Sequence, residues 1–458
     1  MVPATIGKQA VVVGAGMAGL TAARALADHF ERVIVMERDT LPLDAVHRAG
    51  TPQARHLHVL LGGGQRALSE LFPDFEQDLV RAGAVPLRAD ADVRTERPGY
   101  GPFPQRDFGW LWYSMSRPLI ELIVRQRVQR HANIALRQRC RVQGIVATPD
   151  GVSIKAVRYE TVGGRTETLP ADLVVDASGR GTLTLAVLES IGRALPEETT
   201  IGVDIGYATA VFAIPEDAPP DWKGVFTFPE GSRNCRWAVV LPLEGRRWIT
   251  TVAGRHGDRP PGDEDGLLTC ARALWTPTVY NAIKHAKRLE EVARFGFSAS
   301  VWRHFDRLDT FPRGLLPFGD AICRFNPVYG QGMTVAVQEA CLLHRLLEGR
   351  AAEPDPLAGL APAFFSEAQP LIDTPWAGAA VPDFVHPETR GRRPPDFNRS
   401  HKFGLALTRL AARDPIVHKL VYEVAHLLRP RSVYRDPELV ERVLAVMAEK
   451  GDAVRRGL

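Results

Sequence analysis

Gly14, Gly16 and Gly19 stand at the first, third and sixth positions of GAGMAG, and Glu37 ends the next apolar run. These residue types at this spacing can hold a dinucleotide. Gly14 allows a tight turn, and Gly16 leaves room for a pyrophosphate against a helix N-terminus whose N–H groups lack partners. Gly19 lets that helix pack closely on a strand. Met17 and Ala18 lie inside the same turn, and Arg38 follows the acid. Glu37 falls where a carboxylate accepts hydrogen bonds from an adenosine ribose.

About 300 residues later, GDAICRFNPVYGQGM supplies Gly319, Asp320, Pro327, Gly330, Gly332 and Met333. An acid at a strand end can bind a ribityl hydroxyl. A glycine-lined helix start can offer N–H groups and the positive end of its dipole to the N1 to C2=O edge of a reduced flavin. Pro327, with φ fixed by its ring, brings the backbone close to that flavin. The two motifs together predict opposite ends of one non-covalently bound FAD.

The elements needed to position these residues are legible nearby. Ala10 to Val13 reads as a buried strand, a helix runs to His29, and Arg32 to Met36 makes a second strand. Leu315 to Phe318 is a short apolar strand, and Tyr329 to Leu347 a long helix. A third segment, LPADLVVDASGR, is a buried strand that turns through Asp176 and Gly179 into a helix beginning near Gly181. His56 and His58 alternate as in an extended chain, so their rings face opposite sides, a poor arrangement for a metal. In SRPLIELIVRQRVQR, Arg117 opens a helix, and Arg125, Arg127 and Arg130 are expected mostly at its solvated surface.

GAGMAG, VVDASGRGT and GDAICRFNPVYGQGM, in this order, resemble the FAD-dependent monooxygenase superfamily of aromatic hydroxylases and squalene epoxidases. Within it, the chain is most similar to bacterial polyether epoxidases of the monensin type. Gly50-Thr51-Pro52-Gln53-Ala54-Arg55-His56-Leu57-His58 and Ser116-Arg117-Pro118-Leu119 extend the resemblance, which covers roughly residues 8 to 345. It implies that Arg117 contacts the cofactor near its phosphates and ribityl chain, and that Arg48 to His58 lies near the flavin, with Arg55 or His56 available to touch it.

The implied fold is α/β: a Rossmann-like FAD-binding domain of the aromatic hydroxylase type with an inserted β-sheet substrate-binding cap and a C-terminal helical region. Residues 1–195 and 305–350 are expected to form the FAD-binding domain, 196–304 the cap, and 351–458 the helical region. Val, Ile, Thr, Tyr and Trp enrichment at Ile201 to Ile214 and Cys235 to Ala253 suggests a mixed or antiparallel sheet. Phe226, Phe228, Trp237 and Trp248 read as core before pocket lining.

The implied activity is insertion of one oxygen atom from O2, through a C4a-hydroperoxyflavin, into an alkene or an electron-rich aromatic ring of a lipophilic substrate of the secondary-metabolite kind. Cofactor chemistry needs the protein to bind, orient and exclude water. No Ser-His-Asp or paired-carboxylate signature is present, and no catalytic side chain is assigned. Ser178-Gly179 stands where aromatic hydroxylases usually carry Asp-Gly, a motif that contributes to NADPH use. NADPH or NADH is therefore expected as electron donor either directly or through a partner flavin reductase.

An alkene reductase of the geranylgeranyl type is the rival reading, ahead of a flavin halogenase or a non-enzymatic flavin-binding protein. A flavin halogenase fits less well, because no lysine occurs between Lys8 and Lys155. The Trp110-Leu111-Trp112 pair resembles the tryptophan motif of those halogenases, but it precedes the middle motif instead of following it and continues without that motif's Ile-Pro.

The chain of 458 residues, net charge +4, has its basic residues spread out rather than in blocks, which argues against nucleic acid as partner. Apolar stretches are interrupted well before the ~20 residues that span a bilayer. Cys140, Cys235, Cys270, Cys323 and Cys341 lack metal or redox spacing and are expected as buried, reduced thiols. No charged and then apolar leader precedes Gln9. The expectation is a cytoplasmic protein.

Overall fold

A computed structural model of the chain describes residues 5–231 and 234–455. At its centre lies a five-stranded parallel sheet in the order Leu315–Pro317, Leu173–Asp176, Gly7–Val13, Phe30–Met36, Ile134–Arg137. Both faces are covered, so the strands are apolar almost without a break, as a buried parallel sheet requires. Alternate side chains separate cleanly. Ala10, Val12, Val33, Val35, Leu173, Val175 and Leu316 face helices, among them Met17–Ala27 and Gly332–Leu347. Val11, Val13, Ile34, Met36, Val174 and Leu315 face a three-stranded antiparallel sheet of Arg141–Ala147, Ile154–Glu160 and Thr166–Pro170, together with the helix Thr182–Ser190.

The helix Met17–Ala27 sits so close to the first strand's turn that a Cβ on Gly19 would lie 1.8 Å from the Gly14 carbonyl oxygen. No other residue fits there without moving backbone. Gly14 itself has φ +101°, a conformation an L side chain rarely adopts.

An eight-stranded mixed sheet lies where the cap is expected, in the order Cys323–Arg324, Ala293–Arg303, Glu198–Ala213, Arg247–Arg255, Trp237–Leu243, Gly224–Thr227, Val93–Arg97, Gly101–Pro102. Most neighbours are antiparallel, while Gly224–Thr227 pairs in parallel with Val93–Arg97. Three of these strands, at 93–97, 101–102 and 323–324, come from outside 196–304, so the sheet is stitched from chain on both sides of the insertion. One face packs on the helices Glu264–Arg272 and Thr278–Ile283. Trp248 and Trp237 are buried, and Phe226 and Phe228 half-buried.

The C-terminal region is more regular than its prolines suggest. Leu360–Asp383 is one helix of 24 residues containing Pro370, Pro375 and Pro382. Phe364, Phe365, Ala368 and Ile372 join the central core, and that packing outweighs the backbone bonds that the prolines forgo. Phe397–Arg413 and Pro415–Ala425 follow, split at Asp414, whose carboxylate caps the second helix by accepting from Ile416 and Val417 N–H. With Pro437–Arg455 they enclose a small apolar cluster that also takes in Phe103. Among the described residues no helix is long and apolar enough to cross a membrane. All five cysteines are free; Cys270, Cys323 and Cys341 are buried, whereas Cys140 and Cys235 are only half-buried.

Candidate active site

The two glycine motifs meet. Gly319 has φ +62°, and a Cβ built on it would lie 2.9 Å from the Cβ of Ala18 inside the first glycine turn. A Cβ on Gly332 would lie 3.6 Å from Asp320 Oδ1, and one on Gly14 2.7 Å from the Ala177 carbonyl. All three motifs therefore converge at the ends of adjacent parallel strands, where open α/β sheets bind ligands.

Gly16 is the glycine that faces space: a Cβ there would meet nothing within 4 Å. It is also the N-cap of Met17–Ala27, with no side chain satisfying the helix N-terminus. Met17 is buried beneath the turn. Glu37 is 5% exposed, and its carboxylate accepts from Ala15 N–H at 2.8 Å and from Asp39 N–H at 3.0 Å. Arg38 is exposed at the strand end.

Arg117 opens the helix Arg117–Gln129, whose N-cap Ser116 accepts from Leu119 N–H. Its guanidinium is buried, bonds Glu121 at 2.9 Å, and leaves Nη1 without a partner. A buried guanidinium with a free donor fits a phosphate or ribityl oxygen. Arg48, which spacing did not single out, reaches the same place. It donates to Glu121 at 2.7 Å and to Asp39 at 3.1 Å, and stands 3.5 Å from Glu37. Glu121, four residues after Arg117, was the available signal for this network. Arg125 corrects the expectation of a solvated surface: it is 4% exposed and donates to the Pro42 carbonyl. The loop at residue 42 folds over this helix, which no periodicity could reveal.

Asp320 is solvent-exposed on its open side, yet the protein crowded around its carboxyl pushes it up to about 6, with Arg324 pulling the other way. Behind it, Glu339 is fully buried and accepts from Gly319 N–H at 2.8 Å. Burial raises its carboxyl to about 8, so it holds a proton at neutral pH. This clamp on the Gly319-Asp320 turn was not foreseen, since the sequence shows only an acid inside an apolar helix.

The long helix begins at Gly332, later than Tyr329. Pro327–Tyr329 is a 3-10 turn, and Gly330, at φ +64°, ends it in the left-handed region. Gly330 therefore re-aims the chain so that the helix can start, and does not lie in its first turn. Pro327 is exposed, and Met333 is half-buried.

Asp176 stands differently. Its oxygens accept from Ser178 N–H and Oγ and from Thr184 N–H and Oγ1, at 2.6 to 3.2 Å. With 0% exposure it shapes the turn that presents Gly179, at φ +90°. Arg55 is exposed on a 3-10 turn, Pro52–Arg55. His56 turns toward the cap: Nδ1 lies 2.8 Å from Thr209 Oγ1, which lies 2.7 Å from Thr251 Oγ1. Burial pushes His56 down to about 4, so the ring is neutral. His58 faces the other way, toward Arg117, with Nδ1 on the His56 carbonyl at 2.9 Å.

A family model described as FAD binding domain matches residues 8–353. The Mycobacterium tuberculosis protein Rv3254 is 34% identical over 357 residues, which is 74% of this chain and 73% of its own. A kynurenine 3-monooxygenase of Salinispora tropica is 28% identical over 393 residues, 80% of this chain and 77% of its own. Among solved structures, the fold is shared with p-nitrophenol 4-monooxygenase from Pseudomonas putida, at TM-score 0.63 and 17% identity, covering 93% of this chain and 99% of that one. The matched segment runs from the first glycine turn past the Gly332 helix, the stretch whose ends the fold brings into contact. The chain is a member of the FAD-binding-domain family of flavin monooxygenases of the aromatic-hydroxylase type.

Proposed function

We propose that this monooxygenase places one oxygen atom from O2 on an alkene, or on an electron-rich aromatic ring, of a lipophilic substrate held under the cap sheet. The observation that carries this reading is the apolar packing where the cap sheet meets the Asn326 to Gly332 loop. Tyr207, Trp237, Phe295 and Phe297 of the cap, Val328 of the loop and Trp376 of the C-terminal helix form one apolar cluster. Tyr207 and Phe295 stack with an interplanar angle of 8°. Such a wall favours a substrate with a large apolar surface and keeps water out.

FAD fits the residues present: Gly16 and the helix behind it for the pyrophosphate, Glu37 for the adenosine ribose, Arg117 for a phosphate or ribityl oxygen, and Asp320 for the ribityl chain. When bound and reduced, it supplies the activation of O2. The start of the Gly332 helix would hold the flavin edge, and the chain's own contribution is to orient the substrate beside it. Neutral His56, hydrogen-bonded through Thr209 to Thr251, offers a chain of hydroxyls across the cap interface for a polar substituent.

Similarity of GAGMAG, PQARHLH and GDAICRFNPVYGQGM to the polyether epoxidases favours the alkene. NADPH or NADH is the electron source in this reading, with Ser178 in place of the usual acid favouring slow, substrate-gated transfer or delivery through a flavin reductase. The test is product mass spectrometry under 18O2 with candidate polyenes and aromatics. One 18O atom in an epoxide or phenol supports the reading, and products free of 18O overturn it.

A further inference from the structure

We propose that Asp383, the last residue of the helix Leu360–Asp383, is a positioning residue for the flavin-edge loop, so that the C-terminal region completes the oxygenase centre. This rests on the reading that Asn326 to Gly332 meets the flavin.

Asp383 is 0% exposed, and a carboxylate so buried persists only when paired and hydrogen-bonded. Its partners come from two distant parts of the chain. Arg255, at the end of the cap strand Arg247–Arg255, donates from Nη1 at 2.8 Å. Asn326 Nδ2 reaches both carboxylate oxygens at 3.0 Å, and the Tyr329 hydroxyl donates at 3.0 Å. Thr389 Oγ1 donates to the Asp383 carbonyl at 2.7 Å and fixes the helix end from which the side chain projects.

The loop depends on these bonds. Asn326 is 1% exposed, and because its amide nitrogen faces Asp383, its Oδ1 faces inward and accepts from Val328 N–H at 3.1 Å. That bond caps the turn Pro327–Tyr329, and Gly330 and the start of the Gly332 helix follow directly. One carboxylate thus sets the amide orientation, the turn and the helix end that meets the flavin. Arg255, a residue 3% exposed, brings the cap into the same arrangement, its guanidinium lying 5.4 Å from the Trp237 ring centre. A shift of the cap sheet pulls on the same acid that holds the loop.

The experiment compares wild-type protein with D383N and Y329F. D383N keeps the shape but leaves Arg255 without its counter-charge, whereas Y329F removes one donor and leaves the ion pair intact. FAD affinity is read by fluorescence titration, loop order by hydrogen–deuterium exchange of peptides covering 326–332 in the FAD-free protein, and flavin environment by the visible absorption band. Both variants are expected to raise the FAD Kd, D383N by about tenfold or more, to shift the band, and to speed exchange in that loop with circular dichroism unchanged. If D383N does not fold, Y329F alone decides. Wild-type FAD binding with affinity, band and loop exchange unchanged in the folded variants would overturn the role of Asp383. Wild-type protein that takes up no FAD would instead overturn the cofactor reading beneath it.

Discussion

Gly319 and Ala18, from motifs at opposite ends of the family match, touch so closely that a methyl on Gly319 would stand 2.9 Å from the Ala18 Cβ. Gly319 also has φ +62°, so an alanine there is strained twice. A left-handed conformation costs a non-glycine residue about 1 to 2 kcal/mol, and overpacking about 1 to 3. Gly319→Ala is expected to lower unfolding free energy by about 2 to 5 kcal/mol and to weaken FAD binding. Urea denaturation and FAD titration check this; wild-type values for both would contradict the packing.

Asp320→Ala tests the ribityl contact separately from the fold. The side chain is exposed, so the polypeptide should keep its stability. Losing a hydrogen bond to a charged acceptor costs about 1.5 to 3 kcal/mol, or about 10- to 150-fold in FAD affinity. An unchanged dissociation constant would remove Asp320 from the site.

Glu339 should write itself into the pH dependence of stability. Its folded value of about 8 lies above the ordinary 4.5, because burial disfavours the carboxylate and the Asp320 charge adds to that, against the Gly319 N–H. Between those values the folded chain keeps a proton that the unfolded chain releases, so stability falls as pH rises, by up to about 1.4 kcal/mol per pH unit. Glu339→Gln removes this dependence. Denaturation midpoints measured from pH 5 to 8 (about the span between the two values) should fall less steeply for the variant, and parallel curves would contradict a protonated Glu339.

Electron entry gives a kinetic expectation. Ser178 is bonded to Asp176 inside its own turn, Oγ to Oδ1 at 2.6 Å, and presents no acid to a visiting nicotinamide. Anaerobic stopped-flow mixing with NADPH should bleach the oxidised flavin slowly alone and faster with a turned-over substrate. Rapid bleaching at low NADPH without substrate would refute gating.

Local requirements were readable and long-range ones were not. Gly14, Gly16 and Gly19 each answer a constraint set within a few residues, by a turn, a helix terminus and a helix–strand contact, so spacing alone locates them. Gly330 was placed in the right neighbourhood but in the wrong part of it, because Pro327 favours a 3-10 turn that a helical pattern cannot distinguish from the helix itself. Arg125 and Asp383 were invisible, since what buries each is a segment far away in sequence: Pro42 in one case, Asn326, Tyr329 and Arg255 in the other. The helix Leu360–Asp383 escaped because tertiary burial of Phe364 and Phe365 overrides its prolines.

The order of the central sheet governs how the protein is made. Leu173–Asp176 pairs with Gly7–Val13 on one side and with Leu315–Pro317 on the other. During synthesis the first pairing is available long before the second, and the ribosome must deliver the entire cap insertion in between. Throughout that interval the nascent chain carries an open edge of the sequence Leu-Val-Val, an apolar template for pairing with other chains. Any fragment that stops before Leu315 keeps that edge permanently and lacks Gly319, Asp320 and the Gly332 helix, so it should aggregate rather than yield a smaller flavoprotein. FAD binding is therefore expected only after the cap insertion and the Gly332 helix have been made.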